Sequence, residues 1–183
     1  IFTYYFSLEA PKTSLTTNEI ISKLEYYCSY QDRCHKEVEQ KLRSFTLLPE
    51  LKEQIIVHLI EHKYIDEERF AKSFARGKHN YKGWGKNRIV QELKFREISK
   101  RNIDLALLEL PNEIYLANFH QLAEKNWNSI KKRKEKKKDS KGENEDDWEK
   151  KEKNKKNKKF VDFLLRKGYE TSLIFEKLKQ LDN

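Results

Sequence analysis

An all-α fold of three tandem three-helix repeats, stacked into an elongated curved array, is predicted by three observations. The 183 residues hold only five Gly and three Pro but many Lys, Glu, Leu and Ile, a composition that favours helix over sheet. Charged residues make up 38% of the chain, which suits helices with a large solvated face. Most informative is an internal repeat. A shift of 51 places Val38 on Ile89, Leu42 on Leu93, Leu47 on Ile98, Ile56 on Leu107 and Leu59 on Leu110. A further shift of 71 places Ile89 on Phe160, Leu93 on Leu164, Ile98 on Tyr169, Ile103 on Ile174, Leu107 on Leu178 and Leu110 on Leu181. Units of about 50 residues bury little surface alone, so stacking is needed to share their apolar faces.

The elements follow in order. Residues 1–15 form an N-terminal extension, and the first repeat covers 16–64. It opens at Thr16-Thr17-Asn18-Glu19, which has capping-box spacing ahead of Ile20, Ile21 and Leu24. Its second helix is expected from Gln31 to Ser44, and Pro49 suits the first turn of its third, which carries Ile55, Ile56, Leu59 and Ile60. The second repeat covers 65–111. Asp66-Glu67-Glu68 supplies an N-cap and first-turn acids, with Phe70, Ala71 and Phe74 following. Lys82-Gly83-Trp84-Gly85 reads as a loop into a helix with Ile89 and Leu93; Ser99 caps the next helix and Pro111 closes it. The third repeat covers 112–183. Its long first helix runs through Leu122 and Trp127, and Gly168 stops its second helix at a C′ position.

The larger second shift leaves about 20 extra residues, so the third repeat carries a Lys/Glu-rich insertion at about 128–159. Apart from Trp148 it has almost nothing apolar to build a core. Pairs such as Glu149/Lys153 and Glu152/Lys156 would support helix by only ~0.2–0.5 kcal/mol each. The expectation is a helical extension fraying into a mobile loop, acting as a solvated spacer or as a nonspecific nucleic-acid tether.

Net charge is +9 but polarised. Residues 131–159 hold 15 basic and 8 acidic residues, and residues 69–91 hold seven basic and no acidic ones. The remainder is mildly acidic, so docking to an anionic partner through particular faces is expected. Cys28 and Cys34 are too few for a disulfide framework and read as buried reduced thiols in a cytoplasmic protein. The apolar run around Ile55-Ile56-Val57 is far too short to span a bilayer, and the opening residues show no signal-peptide pattern. His58-Leu59-Ile60-Glu61-His62 matches a zinc-peptidase spacing, but no third ligand accompanies it and the sister repeats lack it. No metal, no cofactor and no catalytic set is expected.

The best functional segment is 69–88. Phe70 and Phe74 take a core face, while Arg69, Lys72 and Arg76 recur three and four apart and share another. Lys78, Lys82, Lys86 and Arg88 follow, interleaved with Tyr81 and Trp84. Guanidinium forks suit carboxylate or phosphate, and Gly83 and Gly85 allow a close backbone approach. We assign partner binding to Arg69, Lys72, Arg76, Lys82, Trp84, Lys86 and Arg88. Two plainer roles compete: a solvated basic face with Trp84 packed inward, and Arg69 tying Asp66 or Glu67 at the helix start.

The stretch Tyr64-Ile65-Asp66-Glu67-Glu68-Arg69-Phe70-Ala71, followed by Arg76, Lys82-Gly83, Ile89 and Glu92-Leu93, resembles the RecX family pattern of Gly-Tyr-Ile-Asp-Asp-x-Arg-Phe-Ala, Arg, Lys-Gly and Ile-x-x-Glu-Leu. Tyr27-Cys28 through Glu37-Val38, with Lys41-Leu42, resembles the first-repeat entry of one branch of that family, and Phe163 to Tyr169 its third-repeat motif. Lys63 stands where the family has Gly, Glu67 stands for its second Asp, and the charged insertion is not a general family feature. The resemblance implies three tandem three-helix repeats that bind RecA, lie in the groove of the RecA–DNA filament and inhibit its activities, with no catalytic residues.

The function expected is therefore a non-enzymatic monomer that grips the RecA filament, with single-stranded or duplex DNA phosphates as a further contact and no membrane. The rival is a nucleic-acid-binding helical protein that does not need RecA, marked by salt-dependent DNA binding in its absence.

Overall fold

The computed structural model describes residues 15–138 and 145–182, and within them nine α-helices follow one another with no strand. They form three units: α1 (Thr17–Tyr30), α2 (His35–Leu42) and α3 (Pro49–Glu61); α4 (Glu67–Lys82), α5 (Lys86–Phe95) and α6 (Lys100–Leu108); α7 (Asn112–Lys138), α8 (Glu145–Lys167) and α9 (Thr171–Asp182). The predicted extension and the loop of the insertion lie outside the described residues, apart from Leu15.

Local chemistry sets the helix starts. The Thr16 hydroxyl accepts from the Glu19 amide, and the Glu19 carboxylate accepts from the Thr16 amide at 2.7 Å, completing the capping box. Pro49 occupies the first turn of α3. Asp66 accepts from the Arg69 amide at the start of α4, and Ser99 from the Asn102 amide at the start of α6.

Several of the stops share one device. At Gly168 the amide donates to the Leu165 carbonyl while the Tyr169 amide reaches back to Leu164, a left-handed Schellman cap with φ +86°. Lys63 and Glu97 make the same cap with φ +59° and +63°. Lys63 thus occupies a left-handed site for which glycine is the unstrained choice.

Each unit has its own apolar cluster, and the matched positions of the repeat lie in them. Val38, Ile89 and Phe160 are fully buried, as are Leu93 and Leu164, with Leu42 nearly so. Leu59, Ile98, Leu110 and Tyr169 are also buried. Leu47, Ile56, Leu107, Leu178 and Leu181 pack at the cluster margins. One residue crosses over: Cys34 belongs to the first unit in sequence but is buried in the second unit's cluster.

Three elements differ from expectation. Gln31 is extended (φ −156°) and Cys34 is the N-cap, so α2 starts at His35 rather than Gln31 and ends at Leu42 rather than Ser44. α6 ends at Leu108, and Pro111 instead begins the next helix, its carbonyl accepting from Tyr115. The third difference is the largest. The end of the insertion and the second helix of the third unit are one helix, α8, running from Glu145 to Lys167. Lys153 pairs with Asp182 of α9 at 3.1 Å, across the unit, and Asn157 donates to the same carboxylate. Lys156 lies 3.3 Å from the ring centroid of buried Trp127. The base of the insertion is therefore packed.

Candidate binding site

The seven expected binding residues fall into two groups with different surroundings. In the first, Arg69 donates from Nε to Asp32 at 2.9 Å and from Nη2 to the Lys63 and Tyr64 carbonyls at 3.1 and 3.3 Å. Its side chain joins the first unit to the second, using Asp32 rather than Asp66 or Glu67. Lys72 pairs with Glu68 at 2.7 Å, which raises its pKa, and Arg76 pairs with Glu109, just past the end of α6, at 2.7 Å. All three charges are answered within the chain.

The second group sits where the second unit meets the third. Left-handed Gly83 (φ +60°) ends α4, and Gly85 then starts α5. The Gly85 amide donates to the Lys167 carbonyl at 2.7 Å, and Asn87 to the Gly168 carbonyl at 3.0 Å. A Cβ on Gly85 would strike the Gly168 carbonyl. Arg88 Nη1 donates to the Arg166 carbonyl at 2.9 Å, and Lys167 Nζ to the Lys82 carbonyl at 2.7 Å.

Buried polar groups lock this joint. Tyr115 donates to Glu170 at 2.6 Å and accepts from the Lys86 amide at 3.2 Å. Burial, helped by the Glu170 carboxylate, pushes its phenol far above the usual range. His79, only 2% exposed, stacks on Tyr115, donates from Nδ1 to the Trp84 carbonyl at 2.9 Å and accepts at Nε2 from Asn118.

Trp84 is half-buried against the second core, edge-on to Phe74. The Arg88 guanidinium lies 4.0 Å from its ring centroid, and Lys78 lies 5.3 Å away. So the inward packing of Trp84 holds, and it also carries two cations. Lys86 lies 4.5 Å over the Tyr115 ring.

Among the described residues, Lys78, Lys82, Lys86, Arg88, Arg166 and Lys167 form no ion pair with a carboxylate. The resulting positive potential registers on Lys167, whose pKa is lowered first by burial and then by Arg88 and Lys82.

The other joint shows what neutralisation looks like. There Lys36 donates to the Phe95 carbonyl and to Glu97, both at 2.7 Å, and Arg96 reaches Glu37 at 3.4 Å. Under the repeat offsets Glu37 corresponds to Arg88, Arg96 to Lys167 and Glu97 to Gly168. The same construction is used twice, but the two acids that balance the first joint become a cation and a glycine in the second. Arg166 and Lys167 were outside the sequence-derived set. Applying the offsets to charged as well as apolar positions would have found Lys167.

Elsewhere, His58 is hydrogen-bonded to Glu25 at 2.8 Å, and no group of three or more His, Cys, Asp or Glu among the described residues is placed to hold a metal ion. Cys28 and Cys34 are both free and buried. No described helix is long and apolar enough to cross a membrane.

Fold and site together define a tandem three-helix repeat protein with an unneutralised cationic joint. Residues 66–107 match the family description "RecX, second three-helix domain". The chain is 34% identical over 131 residues to the regulatory protein RecX of Vibrio campbellii, covering 72% of this chain and 80% of that one. It is 28% identical over 157 residues to the regulatory protein RecX of Bacillus cytotoxicus, covering 84% of this chain and 52% of that one. The crystal structure of RecX from Lactobacillus salivarius superposes with a TM-score of 0.67 at 25% identity, covering 91% of this chain and 96% of that one. The chain belongs to the RecX family of regulatory proteins.

Proposed function

We propose that this chain docks on the RecA recombinase filament and inhibits its activity in recombination and DNA repair, acting in the cytoplasm as a non-enzymatic monomer. The observation that carries the reading is the contrast between the two joints. Like charges held together without counter-charges oppose folding, and the first joint shows that the same architecture accommodates acids. A partner surface of carboxylates or phosphates would supply the missing charge. Trp84, with Arg88 and Lys78 on its ring, would give that contact an aromatic anchor.

Of the seven expected residues, Lys82, Trp84, Lys86 and Arg88 then carry the contact. Arg69 ties the first repeat to the second, while Lys72 and Arg76 are paired within the second. Co-sedimentation tests this. The chain should pellet with RecA filaments on single-stranded DNA, pellet far less with the same DNA alone, and lose the filament-dependent portion on Lys82→Glu/Lys86→Glu. Equal pelleting with and without RecA would favour the RecA-independent nucleic-acid reading, which draws on the same cations.

A further inference from the structure

α8 carries the cationic joint outward. Lys151, Lys155, Lys158, Lys159 and Arg166 recur at spacings of four, three, one and seven, so at 100° per residue they fall within about a 100° arc. That arc is opposite Phe160 and Leu164, which are fully buried. All five residues are exposed. The row ends at Arg166, whose carbonyl holds Arg88, beside Lys167, which reaches Lys82. One helix therefore joins the insertion to the joint in a single line. Asp162 is the one acid on it, and Leu165 flanks it.

We propose that this face of α8 is a track for the phosphate backbone of a polynucleotide, bound without regard to base sequence. Several features select that partner. The row spans 15 residue-to-residue rises, roughly 22 Å along a straight axis, with steps of about 6 Å between residues four apart. Duplex DNA presents one charge per ~1.7 Å of its axis, so a phosphate lies within reach of every step. Between residues 150 and 159 there is no apolar residue, which removes the wedge an interfacial membrane helix requires. The nearby Trp127 is buried beneath Lys156 and cannot stack on a base. Along residues 150–159 contact is thus left to charge, which tracks the backbone and ignores sequence. Lys158 and Lys159 form no ion pair among the described residues, and Lys155 has only a 3.7 Å contact to Glu152.

The inference goes beyond the filament reading and does not depend on it, because the assay contains no RecA. A fluorescent 30-base-pair duplex of arbitrary sequence is titrated with the full chain and with Lys155→Gln/Lys158→Gln/Lys159→Gln over a range of salt concentrations. The expected result is weak, salt-sensitive binding by the unsubstituted chain, well below its affinity for the filament. The variant should bind about tenfold more weakly near 100 mM salt, with a log–log salt slope shallower by roughly 2 to 3, as the loss of three phosphate contacts requires. Circular dichroism should show an unchanged melt, since the three side chains are exposed. No duplex binding by the unsubstituted chain, or equal affinity and slope in the variant, would overturn the proposal. So would poly-glutamate competing as well as duplex at equal charge concentration, which would make the track a site for an acidic polypeptide.

Discussion

Gly85 and Gly168 meet backbone to backbone. The amide of Gly85 is bonded to the carbonyl just before Gly168, and a side chain on either glycine would drive into the other strand of chain. This close crossing between the second and third units holds the unneutralised cations together.

Gly168→Ala should therefore be among the most damaging single changes. Its Cβ would collide with the Arg88 backbone, and φ +86° is left-handed. Overpacking costs roughly 1–3 kcal/mol and the conformation ~1–2 kcal/mol more. Urea denaturation should show the loss, with Gly85→Ala close behind. Gly77, where an added methyl would meet nothing within 4 Å, should tolerate Ala.

Lys63→Gly should act in the opposite direction. Lys63 carries a left-handed penalty at its cap, and its side chain is exposed. Glycine there should raise stability by up to about 1 kcal/mol, seen as a higher urea midpoint with an unchanged slope.

Arg69→Ala should separate structural from binding cations. It removes the bonds to Asp32 and to two carbonyls between the first and second units. Arg69 is half-exposed, so screening limits the expected loss to about 1 kcal/mol. Filament inhibition by the folded variant should stay within a fewfold of the unsubstituted chain.

High pH should loosen the fold before ordinary lysines titrate. Burial pushes the Cys28 thiol up to about 11 and raises the Cys34 thiol and the Tyr115 phenol. The folded state thus holds these protons when the unfolded chain has released them. The associated stability is complete below the unfolded thiol pKa near 8.5 and is lost as pH rises from there through 11, on the order of 2 kcal/mol for Cys28 alone. Melting temperature should fall across about pH 9–11, and neither thiol should react with a disulfide reagent near pH 8 until the chain unfolds.

Much of this architecture is legible in the sequence because apolar spacing and caps are local signals. Val38, Ile89 and Phe160 announce the repeat, and Thr16, Asp66, Ser99 and Gly168 mark helix ends with side chains or conformations that act within a few residues. The cationic site was only half legible. Charge counts located residues 69–91, but pairing is a tertiary property: Asp32 and Glu109, which answer Arg69 and Arg76, lie more than 30 residues away in the chain. Arg166 and Lys167 are 78 or more residues from Arg88, with the insertion between them. The continuity of α8 was hidden for a related reason, since a helix rich in Lys and Glu looks like solvated spacer until Trp127 and Asp182 are seen holding its base.

The central claim is that the cations at the second joint supply the contact with the RecA filament. RecA-driven ATP hydrolysis on single-stranded DNA, measured with rising amounts of the chain and of Lys82→Glu/Lys86→Glu, tests it most directly. Inhibition by the unsubstituted chain, weakened at least about tenfold in a variant that melts no lower than the unsubstituted chain, is the predicted result. Equal inhibition by the two would contradict it.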